Sequence, residues 1–155
     1  MLHLSEHHNL ADLSDRLRDA HAVTPELTSD VIERVCRRFP SMTQTYKTAH
    51  IKRLIGAEAW TDVALALIDL ELPLWHVRRI GYDEGEWYCA LSRERELPDW
   101  LDRSIEIHHV DLALAILSAF VEAQRISTPA SRPSVPGVPC DPSSLYEVAC
   151  CDNFG

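Results

Sequence analysis

The chain has 155 residues, 46% of them hydrophobic and 25% charged, which predicts one globular core that needs no metal or disulfide. Its formal net charge of −9 weighs against general binding to nucleic acid or to anionic membranes. No basic segment followed by an apolar run opens the chain, and no apolar stretch is long enough to span a bilayer. Five cysteines without a CxxC spacing predict reduced thiols, so we expect a cytoplasmic protein.

The N-terminal segment, residues 1–23, is polar and predicts one short helix. Leu10, Leu13 and Leu17 recur at spacings of three and four residues, which places them on one helical face. We therefore expect a helix over residues 10–20, ahead of the main domain.

Two further helices are predicted in the first third of the chain. Thr24 as N-cap, followed by a proline in the first turn, begins the first of them, and Pro40 ends it. Ser41, with Gln44 three positions later, forms a capping-box pattern that begins the next helix. Gly56 is the residue expected just after its last turn.

Two segments rich in Ala, Leu, Ile and Val, residues 59–70 and 112–123, predict helices that are apolar over much of their surface. Between them, residues 74–82 and Glu86–Ser92 flank a short connection that ends in glycine, which is typical of a β-hairpin. Because a lone two-stranded ribbon is only marginally stable, we expect a third strand at residues 105–107.

Together these elements predict an α+β fold, with four or five helices on one face of a small antiparallel sheet, in a single domain of residues 24–125. Its core is expected to contain seven large side chains: Trp60, Leu67, Leu70, Trp87, Leu91, Ile116 and Phe120. Residues 126–155 contain five prolines, which predicts a flexible tail. Within it, Leu145-Tyr146-Glu147-Val148 is an apolar segment suited to docking.

The order of elements over residues 57–125 resembles the small α-β-β-α sandwich modules found in phage and phage-derived proteins. The resemblance rests on three short patterns: Ala59-Trp60, Gly85-x-Trp87 and Asp111-x-Ala113-x-Ala115-Ile116. It implies a layered architecture. It implies no agreed enzymatic activity.

No nucleophile motif, P-loop or dinucleotide fingerprint occurs, and five glycines are few for a phosphate-binding loop. The acids Asp83, Glu84 and Glu86 cluster at the predicted hairpin tip, where solvent leaves carboxylates with ordinary chemistry. We interpret them as a solvated tip that discourages aggregation. The sequence therefore favours a protein that is not an enzyme, and it implies no cofactor.

Histidines and an acid come together just before the last helix, as His108, His109 and Asp111. These residue types bind transition metals, but adjacent side chains diverge and no HxH, HxxxH or HExxH spacing is present. We interpret both histidines as surface residues and predict no metal site. A His-based metalloprotein is the least supported hypothesis.

A stretch of the chain from Arg34 to Ala57 contains no acid and six basic residues. With one aromatic neighbour, the candidate nucleic-acid or anion-binding residues are Arg34, Arg37, Arg38, Tyr46, Lys47, Lys52 and Arg53. The alternative is that these charges complement the negative C-terminal ends of two helices and pair with acids such as Glu33 and Glu58. The net charge of the chain favours this alternative.

The predicted hairpin offers a second candidate surface. If Trp75 and Val77 point toward the core, then His76, Arg78 and, from the second strand, Tyr88 face outward. Such a mixture of basic and aromatic groups suits contact with a protein or a ligand.

The first hypothesis on function is a non-enzymatic adaptor or regulatory protein that acts through contact with another protein or as a homodimer. It rests on the missing site motifs, on the apolar helix at residues 112–123 and on a small sheet with an uncovered face. The alternative is a nucleic-acid-associated factor that uses the basic stretch 34–53. We expect no membrane partner.

Overall fold

The computed structural model of the protein describes residues 2–41, 45–93 and 104–127. In chain order the elements are α1 (Leu2–Asp19), α2 (Pro25–Val35), α3 (Arg38–Ser41), α4 (Tyr46–Gly56), α5 (Trp60–Glu71), β1 (His76–Asp83), β2 (Glu86–Ser92), β3 (Ile105–His109) and α6 (Leu112–Ser127). The predicted α+β class is confirmed. The tail beyond residue 127, its apolar segment 145–148 and the capping residue Gln44 lie outside the described residues.

The three strands form one antiparallel sheet in the order β1–β2–β3, so β2 is central. Asp83 pairs with Glu86 across a two-residue turn in which Glu84 has φ 49° and Gly85 has φ 91°. Two left-handed residues at these positions form a type I′ turn, whose twist matches that of the flanking strands. Both the predicted hairpin and the predicted third strand are therefore confirmed.

Helix α6 lies at the centre of the molecule. It packs on β2 and β3 on one side and contacts α1 and α5 on the other. From Ala113 to Phe120, every residue except Ser118 is buried. A helix buried between a sheet and other helices needs apolar residues nearly all round, which explains its composition.

Five of the seven predicted core residues are buried: Leu67, Leu70, Leu91, Ile116 and Phe120. The other two, Trp60 and Trp87, are half-buried and pack against the edge of this core. Large indole rings are often covered on one side only, since few positions in a small domain can enclose them fully.

Helix α1 is longer than predicted, because it begins at Leu2 rather than at residue 10. No Gly or Pro interrupts it. Leu13 and Leu17 are fully buried, and α1 packs against α6. The segment placed ahead of the predicted domain therefore contributes to the same core.

At the other end, α6 runs to Ser127, so the first two residues assigned to the tail belong to a helix. The Trp75 indole Nε1–H donates a hydrogen bond to Ser127 Oγ over 2.8 Å. This bond joins the end of α6 to the residue that precedes β1. Sequence patterning identified the tail by its prolines, which start only at Pro129.

The helix predicted between Thr24 and Pro40 is divided in two. α2 ends at Val35, and the short helix α3 follows from Arg38 to Ser41. Prediction of a continuous helix up to Pro40 was therefore wrong. The cause is a carboxylate from α5, Glu71, which binds the backbone N–H groups at the break.

Both ends of α4 differ from the prediction. Thr45, not Ser41, is its N-cap and accepts a hydrogen bond from the Thr48 backbone N–H over 3.4 Å. At the C-terminal end, the left-handed residue is Glu58 (φ 53°) rather than Gly56. 

This C-terminal end of α4 is a Schellman motif. The Ala59 N–H donates to the Leu54 carbonyl and the Glu58 N–H donates to the Ile55 carbonyl, both over 3.0 Å. Glycine is the usual residue at the left-handed position, because a Cβ there crowds the backbone.

Replacing Glu58 by glycine is therefore expected to stabilise the protein by about 1 kcal/mol, since the left-handed conformation costs a residue with a Cβ roughly that much. Chemical denaturation followed by circular dichroism measures the change. Glu58→Ala is the matched control, because it removes the same carboxylate but keeps a Cβ. An equal gain in both variants would show that charge, not backbone strain, is responsible.

Candidate interaction surface

The register of the hairpin contains one irregularity. Val77 pairs with Leu91 and Arg79 pairs with Ala90, so Arg78 is an extra residue in β1. Such a β-bulge shifts every following side chain to the opposite face from that expected by simple alternation. Arg79 therefore lies on the same face as Ala90. Sequence reasoning missed Arg79, because strand alternation carries no signal for a bulge.

The face of the sheet away from α6 carries two rows of side chains across the three strands. One row is Arg79, Ala90 and Glu106; the other is Gly81, Tyr88 and His108. The Tyr88 and His108 rings lie 5.6 Å apart. Tyr88 covers Gly81 so closely that a Cβ there would lie 2.5 Å from Tyr88 Cζ, so this packing requires glycine.

Of the predicted surface residues, Tyr88 and His76 are half-buried and Arg78 is exposed in the bulge. A shallow pocket of about 170 Å³ lies beside them, lined by Arg78, Arg79, Ala90, Ser104 and Glu106. Glu106 Oε1 also lies 3.0 Å from His108 Nε2. The pocket suits hydrogen bonding and ion pairing.

The opposite face of β1 is apolar and only partly covered. Ile80 and Tyr82 are on the same face as the buried Cys89, yet their side chains are 37% and 61% exposed. The reason is that α6 packs over β2 and β3, whereas β1 extends beyond it. Tyr82 contacts Trp87, with ring centroids 5.1 Å apart.

Strand β1 also has an open edge. In the described part of the chain it pairs with β2 alone, and its residues from 78 to 80 and from 82 to 83 are exposed. Arg79 and Asp83 form no ion pair with other described residues. We call this edge, with Arg79, Ile80, Tyr82 and Asp83, the β1 surface.

The predicted basic residues are distributed over α2, α3 and α4. Two of them form ion pairs with acids of other helices: Arg34 with Asp12 of α1 at 3.4 Å and Lys47 with Asp69 of α5 at 2.7 Å. Asp12 and Asp69 lie outside the basic stretch in sequence. The predicted partners, Glu33 and Glu58, are therefore not the acids that pair with Arg34 and Lys47. The proposal of a nucleic-acid site stays a prediction.

The remaining residues of that set differ in their surroundings. The backbone N–H groups of Arg37 and Arg38 donate to Glu71, and their side chains are exposed. Lys52 and Arg53 are exposed on α4.

On the same helix, the ring of Tyr46 stacks on that of His50 with a centroid distance of 6.2 Å. The Tyr46 side chain is 80% exposed.

The histidines near the last helix have a structural explanation. His109 is buried, not on the surface as predicted: its Nδ1 accepts a hydrogen bond from the Asp111 N–H over 2.9 Å, and its Nε2 donates to the Arg18 carbonyl over 3.3 Å. The Asp111 carboxylate caps α6 by accepting from the Leu114 N–H. Among the described residues, no three His, Cys, Asp or Glu side chains are grouped to hold a metal ion.

Two cysteines, Cys36 and Cys89, are buried in the core, as their positions on apolar faces predicted. Burial raises the pKa of the Cys89 thiol to about 12. Burial, together with the nearby Glu71 charge, also raises the pKa of the Cys36 thiol. Neither is suited to nucleophilic or redox chemistry, which requires the thiolate.

We expect Cys36 and Cys89 to resist alkylation by iodoacetamide from neutral pH to about pH 9, because a raised pKa keeps each thiol protonated across this range. Peptide mass mapping after timed alkylation identifies which cysteines react. The same reaction in urea is the control, since unfolding restores an ordinary pKa and exposes both thiols. Equal labelling rates with and without urea would contradict the prediction.

No protein-family model, curated protein or solved structure matches this chain. The resemblance to phage-type modules consequently stays a prediction. Within the described ranges, no helix has the length and apolar character needed to cross a membrane.

Proposed function

We propose that this protein is a non-enzymatic adaptor or regulator that acts by binding a polypeptide through the β1 surface. One observation carries the proposal: Ile80 and Tyr82 lie on the core side of the sheet but stay substantially exposed. Apolar side chains in such a position lose contact with water when a partner covers them, which favours association. The proposal includes a cytoplasmic location, which the reduced thiols expected from the sequence support.

The open edge of β1 supports the same proposal. An edge strand has backbone N–H and C=O groups directed away from its sheet, and an added strand can pair with them. Bulges and charges often protect such edges, and β1 has a bulge at Arg78. That bulge interrupts only the first part of the strand. Its second part, residues 79–83, pairs regularly with β2 and, among the described residues, has no strand on its other side.

A second candidate function rests on α4. The exposed Tyr46 stacked on His50, with Lys52 and Arg53 on the same helix, is a combination that suits a nucleic-acid strand. Against it, Lys47 is already paired with Asp69. This function predicts salt-sensitive binding to DNA or RNA that is lost on charge reversal at Lys52 and Arg53.

Site-specific photo-crosslinking separates the two candidates. A benzophenone amino acid is placed at Tyr82 in one variant and at Tyr46 in another, and each full-length variant is irradiated in its native cell. The proposed function predicts crosslinks to a polypeptide from position 82 that are absent from position 46. Crosslinks to nucleic acid from position 46, with none to protein from position 82, would replace it by the second candidate.

A further inference from the structure

We propose that the partner of the β1 surface is β1 of a second copy of this chain, paired antiparallel about Gly81. The proposal rests on the proposed function, because it names the polypeptide that covers this surface. Two sheets joined in this way form one continuous six-stranded sheet. A two-fold axis through Gly81 makes the same contacts on both sides.

Opposite charges meet across the proposed dimer axis. In this register, Arg79 lies directly opposite Asp83 of the partner subunit, and Arg78 lies near Glu84 of the partner subunit. Arg79, Gly81 and Asp83 alternate onto one face of β1, so the two opposed charges share a face. By symmetry each pair occurs twice. Neither Arg79 nor Asp83 has an ion-pair partner within the described ranges of its own chain.

The apolar residues fit the same register. Ile80 lies opposite Tyr82 of the partner subunit, on the core face of the joined sheet. These two are the exposed apolar residues of β1, and each covers the other across the axis. Tyr82 already packs against Trp87, so the partner's Ile80 extends an existing apolar cluster.

Neighbouring registers that keep the faces matched lose this complementarity. Pairing about Ile80 places Arg79 opposite the partner's Gly81, which leaves its charge without a partner. Pairing about Tyr82 places Ile80 opposite the partner's Glu84, an unfavourable apolar-to-acid contact. Only the register about Gly81 combines both favourable pairs. Because the regular part of the strand is short, we expect a reversible dimer in the micromolar range.

Charge reversal tests the register directly. The wild-type protein is measured by size-exclusion chromatography with light scattering over a range of micromolar concentrations. Its mass is expected to approach twice that of a single chain as the concentration rises. Arg79→Asp alone and Asp83→Arg alone each oppose like charges across the axis, so each should weaken self-association roughly tenfold or more. Mixing the two variants restores opposite charges at both contacts. The mixture should therefore form a heterodimer that is at least tenfold tighter than the self-association of either variant alone.

Glu33→Arg is the matched control, since it makes the same charge change as Asp83→Arg at an exposed position of α2 and should leave the dimer intact. Recovery in the mixture also shows that both variants are folded. A monomeric wild type, or a mixture that fails to associate, would overturn the inference. If the chain is monomeric but position 82 crosslinks a different polypeptide, the inference fails while the proposed function stands; no crosslink from position 82 removes both.

Discussion

Replacing Phe120 by alanine is expected to lower the free energy of unfolding by about 3–5 kcal/mol. Phe120 is fully buried in α6, at the position where this helix separates the sheet from α1 and α5. Loss of its ring leaves a cavity in the close-packed core. Phe120 is among the largest fully buried side chains of the described residues, so the cost should lie toward the upper end of the range.

Urea denaturation followed by far-ultraviolet circular dichroism measures this loss. Phe120→Leu keeps most of the volume and should cost distinctly less. Ile126→Ala removes an apolar side chain from the same helix where it is exposed, so it should change stability by less than about 0.5 kcal/mol. A similar effect of Phe120→Ala and Ile126→Ala would contradict the placement of α6 at the centre of the core.

Removing the Glu71 carboxylate is expected to have the second largest effect, a loss of about 2–4 kcal/mol for Glu71→Ala. This side chain is only 6% exposed. It accepts hydrogen bonds from three successive backbone N–H groups, those of Arg37, Arg38 and Phe39, at 3.0, 2.9 and 2.6 Å. Without the carboxylate, these donors are left without an acceptor in a partly buried turn.

Two further variants separate the capping role from charge alone. Glu71→Gln keeps one carbonyl oxygen as acceptor, so we expect it to lose about half as much stability as Glu71→Ala. Asp69→Ala removes an acid two residues away whose ion pair with Lys47 is exposed, and it should cost no more than about 1 kcal/mol. Equal losses at positions 69 and 71 would mean that the three backbone contacts contribute nothing.

The central elements were predictable because their signals are local. The α5 and α6 helices have apolar periodicity, and the hairpin has a glycine at a position where the type I′ turn needs a left-handed residue. The third strand followed from the instability of a lone hairpin. The helix and hairpin inferences use residues that are close together in sequence, whereas the third strand was inferred from what a hairpin needs to be stable.

The errors have a different origin. The break between α2 and α3 depends on Glu71, which is more than thirty residues away in sequence. The ends of α4 were misplaced because more than one nearby residue suits each cap. Ser41 and Gly56 were predicted as the caps, but Thr45 is the N-cap and Glu58 is the left-handed residue after the last turn. His109 was misplaced since its burial depends on the Arg18 carbonyl of α1.

The candidate surface also has features that depend on near neighbours in sequence and features that depend on distant segments. The sequence by itself determined a hairpin with basic and aromatic residues, because strand periodicity and turn chemistry act between near neighbours. Only the tertiary structure decided that Arg79, rather than Arg78, lies on the face of the sheet away from α6. It also decided that Ile80 and Tyr82 stay exposed on the opposite face. The position of the bulge depends on pairing with β2. The exposure of Ile80 and Tyr82 depends on which strands α6 packs against. Both depend on contacts between segments that are distant in the chain.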